Sequence, residues 1–135
     1  MLRDSVPGGR AKELHRLFVY GTLRCGCDLH HHLTRLGARF IAEAKVSAEL
    51  LPRGRYPGAR PACQSGKWVR GEVYRLRQPA RDLRVLDKVE GFVAEALRRS
   101  EFVRARAEVL LNGGARQQAW IYWLGARKST GGSYG

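Results

Sequence analysis

Two short stretches of the sequence carry residue types that could take part in catalysis. In the first, residues 17–20 form an apolar and aromatic run that is followed at once by Gly21. Such a run predicts a buried strand, and the glycine allows a sharp turn or the close approach of a ligand. Main-chain N–H groups in that turn could bind an anion or a developing oxyanion. The plain end of an edge strand is an equally good interpretation of these residues.

The second stretch ends in Glu90, which precedes Gly91 at the predicted end of a helix. The helix macrodipole disfavours a negative charge at this end. If the carboxyl is also buried, both effects raise its pKa towards the range that is useful for proton transfer. A solvated glutamate beside a helix-ending glycine is the alternative, and these residues taken alone favour it.

Length and composition predict one globular domain. The chain has 135 residues, of which 44% are hydrophobic, and its mean hydropathy is −0.39. We expect a flexible arm over residues 1–14, a single folded domain over 15–125 and a flexible tail over 126–135. No apolar run approaches the roughly 20 residues that span a bilayer, and the first dozen residues do not resemble a secretory signal. A cytoplasmic protein without a membrane partner is therefore expected.

The sequence is strongly basic, with 25 Lys and Arg against 12 Asp and Glu and a formal net charge of +13. This excess could form a surface for nucleic acid or another polyanion. It could equally be a general bias in amino-acid composition that forms no dedicated binding surface, because the arginines are scattered through every predicted element. Clusters such as Arg98-Arg99 and Arg53-Gly54-Arg55 are short. The pattern therefore argues against nucleic-acid binding as the main function.

The cysteines do not predict a disulfide framework or a metal site. Cys25, Cys27 and Cys63 are an odd number in a chain with no export signal. The spacing of Cys25 and Cys27 is shorter than that of structural zinc pairs. The three histidines that follow, at positions 30–32, are more typical of a polar, partly solvated start of a helix.

The periodicity of the remaining residues predicts a mixed α+β domain. The predicted elements are a helix from an Asp28 N-cap to Leu36, a strand over 40–49, a Pro- and Gly-rich loop over 52–67, a strand over 68–77, a helix from Pro79 to Val89 that Gly91 ends, and a hairpin over 103–111 and 117–124. In the strand over 40–49, the side chains on the covered face are Phe40, Ala42, Ala44, Val46 and Ala48. Half-buried strands in this order favour a curved, mainly antiparallel and barrel-like sheet.

Five motifs in order along the chain resemble the γ-glutamylcyclotransferase-like family, which includes the γ-glutamylamine cyclotransferases and the AIG2-like and YtfP-like proteins. They are Phe18-Val19-Tyr20-Gly21-Thr22-Leu23-Arg24, Tyr56-Pro57-Gly58-Ala59, Gly71-Glu72-Val73-Tyr74, Leu86-Asp87-x-x-Glu90-Gly91 and Ala119-Trp120-Ile121-Tyr122. The resemblance implies a small, mainly antiparallel β-barrel flanked by helices, with a cavity at one end. It further implies release of 5-oxoproline and an amine from a small-molecule γ-glutamyl substrate, without a metal or cofactor.

The resemblance also assigns roles to particular residues. Main-chain amides of the loop formed by Tyr20, Gly21, Thr22 and Leu23 would bind the substrate, and Glu90 would be the general acid and base. Tyr56 and Tyr122 could line the cavity, although ordinary packing is the alternative for both.

The sequence departs from the family pattern in three places, one of which is a polar tail without a clear match to it, and leaves other functions open. The segment between Gly91 and Phe102 is long, and Phe102-Val103-Arg104 stands where many members have a Tyr before the x-Arg. A non-catalytic small-molecule-binding domain of the same fold remains a second hypothesis, and a polyanion-binding protein is the third. The identity of the γ-glutamyl substrate and the oligomeric state are open.

Overall fold

The structure is a computed structural model that describes residues 14–20, 30–51, 58–62, 66–92, 95 and 102–125. In chain order the elements are β1 (Arg16–Val19), α1 (His30–Arg35), β2 (Arg39–Leu51), β3 (Gly58–Pro61), β4 (Trp68–Arg75), α2 (Pro79–Glu90), β5 (Phe102–Leu111) and β6 (Arg116–Leu124). The expectations for most of the N-terminal arm, the tail, the Asp28 cap and the cysteines fall outside the described residues. Neither described helix is long and apolar enough to cross a membrane.

Five of the described strands close into a barrel. The strand order is β3-β2-β4-β1-β6-β5, and β5 pairs again with β2 to complete the circle. The pairing of β1 with β6 is parallel, whereas the other described pairings are antiparallel. The expected α+β class, with a mainly antiparallel barrel flanked by helices, is confirmed.

The alternation of side chains along β1 divides the hydrophobic core into two clusters. Phe18 points into the barrel, where it packs with Val46, Val73 and Ile121. The side chains of opposite parity lie on the outer wall of the barrel beneath the helices. This outer cluster consists of Leu17, Val19, Leu33, Tyr74, Leu76, Leu83, Leu86 and Tyr122. Because a strand alternates its faces residue by residue, β1 holds the interior and the helix layer together.

Both ends of α2 follow the sequence signals. Pro79 is the first helical residue, where a missing N–H costs nothing. Gly91 adopts a left-handed conformation with φ 71° and ψ 32°. Its N–H donates to the Lys88 carbonyl at 3.2 Å, and the Phe92 N–H donates to the Asp87 carbonyl at 2.8 Å. These two hydrogen bonds together form a Schellman cap, which ends the helix at Glu90.

The covered face predicted for the strand over 40–49 is wrong at Phe40. Ala44, Val46 and Ala48 are buried as expected, but Phe40 is 55% exposed. The pairing with β4 shifts by one residue between Phe40 and Ala42, and such a bulge reverses the face on which preceding side chains lie. Phe40 therefore points outward, and its ring meets that of Tyr74 edge to face at 5.8 Å.

The prediction that residues 52–67 contain no regular element is also wrong. β3 lies within that segment and pairs with the end of β2, from Ala48↔Pro61 to Leu51↔Gly58. Pro61 is tolerated because it is the last residue of an edge strand. At Gly58 a Cβ atom would lie 2.6 Å from Cδ1 of Leu124, so this position packs directly against β6 and a side chain there would require Leu124 to shift.

We expect Gly71→Ala to destabilise the barrel severely. A Cβ atom there would overlap the Val19 carbonyl oxygen and would come within 2.7 Å of the Phe18 ring, so the backbones of β1 and β4 would have to separate. The expected loss in free energy of unfolding is about 3 kcal/mol, at the upper end of overpacking costs. Urea denaturation measures it.

Arg70→Ala is the control, because it changes the neighbouring exposed position of the same strand. Its free energy of unfolding should stay within about 0.5 kcal/mol of wild type. Equal stability of the two variants would contradict the close approach of β1 and β4.

Candidate functional site

Glu90 is shielded from water at the end of α2. Its side chain is 7% exposed. Its negative charge contributes to raising the pKa of both Tyr20 and Tyr122, so the carboxylate lies within electrostatic range of both phenol groups. Tyr20 directly follows β1, at the start of the turn that the sequence predicts as the substrate cradle. The described residues of the predicted site therefore come together.

The Tyr20 hydroxyl links separate strands through hydrogen bonds inside the barrel. It donates a hydrogen bond to the Tyr122 carbonyl at 2.6 Å and accepts one from the Ala59 N–H at 3.0 Å. Burial raises the pKa of Tyr20 far above its usual value, the bond from Ala59 opposes this shift, and the charge of Glu90 adds to it. The hydroxyl therefore stays protonated and joins β1 to β6 and β3.

Tyr122 lies on the outer face of β6 and contacts α2. Its hydroxyl donates to Oδ1 of Asp87 at 2.7 Å. Burial raises the pKa of Tyr122 most, and the hydrogen bond to Asp87 and the charge of that carboxylate raise it further. Asp87 also receives Nε and Nη2 of Arg104 at 2.8 and 3.1 Å. Since Asp87 precedes Glu90 by three residues, this network fixes the last turn of α2 against β5 and β6.

Aromatic rings hold the Arg104 guanidinium in place. It lies 4.5 Å from the centre of the Trp120 ring and 5.8 Å from that of Phe92, distances at which a cation and a π system attract each other. The Trp120 indole N–H donates to the Leu14 carbonyl at 3.1 Å. The planar guanidinium therefore presents two N–H groups to Asp87 in a fixed orientation.

Asp87 and Arg104 are the residues of this site to which sequence reasoning assigned no role. Asp87 stands one helical turn before Glu90, a spacing that puts both carboxylates on neighbouring positions of one helix face. That signal could have identified it. No local spacing points to Arg104, because its partner lies 17 residues away in another element; the signal that could have identified it is the Arg of the family's Tyr-x-Arg position.

The structure describes three of the predicted site residues, namely Tyr20, Glu90 and Tyr122. Gly21, Thr22, Leu23 and Tyr56 lie outside the described residues. Within the described ranges, no three His, Cys, Asp or Glu side chains are grouped so that they could hold a metal ion. The site that can be described is therefore one shielded carboxylate within electrostatic range of two buried tyrosines.

The fold and this site define a class of small, closed, mixed β-barrel proteins with two helices packed on one wall. The family profile described as "Gamma-glutamyl cyclotransferase, AIG2-like" matches residues 17–134. The chain therefore belongs to the γ-glutamyl cyclotransferase, AIG2-like family, which includes γ-glutamyl cyclotransferases.

Solved structures share the fold at low sequence identity. An AIG2-like protein from Mus musculus is 22% identical, with a TM-score of 0.66 over 86% of this chain and 80% of the other. A protein described as γ-glutamyl cyclotransferase is 17% identical, with a TM-score of 0.61 over 83% and 67%. YkqA from Bacillus subtilis is 25% identical, with a TM-score of 0.62 over 82% of this chain but only 35% of its own length. A search of curated protein sequences found no match.

We expect Tyr20→Phe to lower the free energy of unfolding at pH 7 by about 1–3 kcal/mol, because a buried amide and a buried carbonyl lose their common partner. Folding raises the pKa of Tyr20, so the contribution of the protonated hydroxyl is complete below about pH 10 and is lost as the pH rises. Above that pH, wild-type stability should fall more steeply than that of the variant, by up to about 1.4 kcal/mol per pH unit.

Urea unfolding followed between pH 7 and pH 11 measures both effects. Tyr74→Phe is the control at neutral pH, since Tyr74 belongs to the outer cluster and not to the barrel interior, and its hydroxyl donates to the part-buried carboxylate of Glu72. Parallel pH dependence of wild type and Tyr20→Phe would contradict a buried, protonated Tyr20.

Arg104→Met is expected to lower the free energy of unfolding by about 3 kcal/mol, because it removes the cation from a largely buried pair. The two side chains are 20% and 18% exposed. Arg106→Met is a matched control, since Arg106 also lies over the Trp120 ring, at 5.2 Å, but takes part in no described salt bridge. Its loss should cost about 0.5–1 kcal/mol. Equal losses would show that the Asp87 pair adds nothing beyond the ring contact.

Proposed function

We propose that this chain is a γ-glutamylcyclotransferase, which releases 5-oxoproline and a free amine or amino acid from a γ-glutamyl compound. The observation that supports the proposal most directly is Glu90, a shielded carboxylate at the end of α2 that lies within electrostatic range of Tyr20, the residue after β1. Membership of the family adds the expectation of this reaction class.

The reaction suits a site with one acid/base group. The α-amine of the substrate attacks the γ-carbonyl carbon of the same molecule, so that a new C–N bond closes a five-membered lactam. The original amide C–N bond then breaks and the amine leaves. Two protons move in total from the attacking α-ammonium nitrogen to the leaving nitrogen, so no net proton is exchanged with water. Glu90 would accept a proton from the first nitrogen and deliver one to the second.

The nucleophile belongs to the substrate, so the protein need only fold the substrate and move protons. Holding the amine near the carbonyl converts the attack into a well-oriented intramolecular step. This chemistry does not require a metal ion or a cofactor. The main-chain N–H groups of residues 21–23, assigned by the family resemblance, would bind the substrate carboxylate or the oxyanion.

The network around Asp87 would set the position of the general base. Asp87 is held by Tyr122 and Arg104 from two neighbouring strands, and it stands one turn before Glu90 on the same helix. The Schellman cap at Gly91 limits the motion of Glu90 from the other side. A catalytic carboxyl must hold its distance to the proton that it transfers, and these anchors act on either side of it.

We expect Glu90→Gln to lower the rate of 5-oxoproline release by about 10²–10⁴-fold, the usual contribution of a general acid or base. The amide has the shape of the carboxyl group but cannot accept the proton. The assay is 5-oxoproline release from γ-glutamyl amino acids and from γ-glutamylamines, with wild type and variant side by side. Circular dichroism checks that the variant is folded.

Glu108→Gln is the matched control, because Glu108 is an exposed carboxylate on β5. It should retain wild-type activity. Undiminished activity of Glu90→Gln would remove Glu90 from the mechanism. If no compound is turned over by wild type while calorimetry shows that γ-glutamyl compounds bind, the chain is a small-molecule-binding domain and the catalytic proposal fails.

A further inference from the structure

Three arginines stand side by side on adjacent strands of the barrel. Arg16 of β1 is the direct partner of Arg75 in β4, and Arg75 is also the direct partner of Arg39 in β2. Residues directly opposite each other have Cα atoms about 4.5–5.5 Å apart and side chains on the same face of the sheet. Like charges in that position destabilise a sheet.

Alternation places this row at one mouth of the barrel. Val73 and Phe18, each two residues from a member of the row, point into the barrel interior. Arg75 and Arg16 therefore lie on the inward-facing side of β4 and β1, where the strands begin or end. The one-residue bulge in β2 puts Arg39 on that side as well.

A half-open cleft of about 330 Å³ lies at this mouth, and its lining is dominated by arginine. The described residues that line it are Gly37, Arg39, Arg75, Leu76 and Arg77. Gly37 has a φ of 77°, and a Cβ atom on it would lie 3.3 Å from Cδ of Arg77. The Arg77 side chain therefore lies close against the turn between α1 and β2, which brings a third guanidinium to the cleft.

None of the cleft arginines has a carboxylate partner in the described part of the chain. The salt bridges described there use Lys67, Arg81, Arg104 and Arg116. Glu43 and Glu72 lie on the same strands as Arg39 and Arg75 and pair with each other in register, but alternation puts them on the outer face. The positive charge of the cleft is therefore uncompensated within these ranges.

The cleft is separate from the candidate active site. Arg77 precedes the start of α2 by two residues, whereas Glu90 is the last residue of that helix. Twelve helical residues span about 18 Å. Along β1, Arg16 stands at the first position and Tyr20 follows the last. The arginine row and Glu90 therefore mark opposite ends of the molecule.

We propose that this cleft binds the polyphosphate chain of a small anion. Guanidinium groups present paired N–H donors that match phosphate oxygens, and three of them supply enough charge for a di- or triphosphate. The volume suits a small ligand. An anion between Arg39 and Arg75 would also reduce the repulsion between these two directly opposed arginines, so ligand binding stabilises the fold.

The surroundings favour a small ligand over a nucleic-acid strand. Single-strand binding sites usually combine basic residues with exposed aromatic rings on which bases stack. Among the residues that the structure describes, no aromatic side chain lines the cleft. Phe40 is adjacent in sequence, but its ring packs on Tyr74 on the outer face, and Trp68 lies at the other end of β4 beneath Lys45.

Titration calorimetry with inorganic triphosphate tests the proposal, at fixed ionic strength and with orthophosphate as the weaker comparison. Arg75→Gln removes the middle member of the row and should weaken triphosphate binding about tenfold or more, which corresponds to one charge-assisted hydrogen bond. Arg84→Gln, at an exposed position of α2 outside the cleft, removes the same charge and should change the affinity less than about twofold.

Thermal unfolding provides an independent readout. Without ligand, Arg75→Gln should melt at a higher temperature than wild type, because a repulsion between opposed arginines is gone. At one fixed triphosphate concentration, the rise in melting temperature should be smaller for Arg75→Gln than for wild type and Arg84→Gln. Glu90→Gln should bind triphosphate like wild type, so the result does not depend on the catalytic proposal.

Three outcomes would overturn the inference. The first is an equal loss of affinity in Arg75→Gln and Arg84→Gln, which would show attraction to net charge alone. The second is triphosphate binding no tighter than orthophosphate binding. The third is a single-stranded oligonucleotide that displaces triphosphate and depends on Arg75 more strongly, which would identify the ligand as a nucleic-acid backbone.

Discussion

One phenolic hydroxyl inside the barrel connects three parts of the chain that are far apart in sequence. Tyr20 bonds to the carbonyl of a residue 102 positions later and to an amide 39 positions later. Both main-chain groups are buried and would be costly to leave unpaired. The hydroxyl pairs with both at once. If the end of β1 moved, the hydrogen bonds to the Ala59 amide in β3 and to the Tyr122 carbonyl in β6 would be lost. The turn that follows Tyr20 therefore starts from a fixed point.

The end of α2 is fixed by a different interaction, which specifies position more than it stabilises. Asp87 and Arg104 are largely buried, and removing both charges from water costs free energy. Their mutual attraction offsets this cost, so the net gain in stability is small. Its consequence is geometric, because the planar guanidinium accepts one orientation of the carboxylate, and Trp120 and Phe92 hold that guanidinium. With Tyr20 fixing one strand and Asp87 fixing one helix, Glu90 is held between two independently anchored elements.

Local sequence signals correctly predicted most of the helices and strands. The errors arose where the structure depends on pairing with strands that are distant in sequence. Pro79 and Gly91 are start and stop signals for a helix, and both were interpreted correctly. Phe40 was misplaced because its face depends on a bulge against β4, which the sequence of β2 alone does not reveal. β3 was not predicted because its segment is rich in Pro and Gly, which usually indicates a loop. It forms an edge strand only because the long strand β2 extends beyond the barrel and offers it a partner. At the site, the role of Glu90 came from a family resemblance, since its local sequence alone favoured an ordinary surface glutamate.

The positions of the arginines in the sheet show something that their number in the sequence does not. By composition the arginines look evenly scattered, and several of them are structural: Arg104 holds Asp87, and Arg81 holds the buried carboxylate of Asp82. Strand pairing separates these from Arg16, Arg39 and Arg75, which are distant in sequence but adjacent in the sheet. A basic composition alone predicts only non-specific attraction to anions. A row of opposed arginines is a local cost to folding, and the polyanion proposed for the adjoining cleft would reduce it.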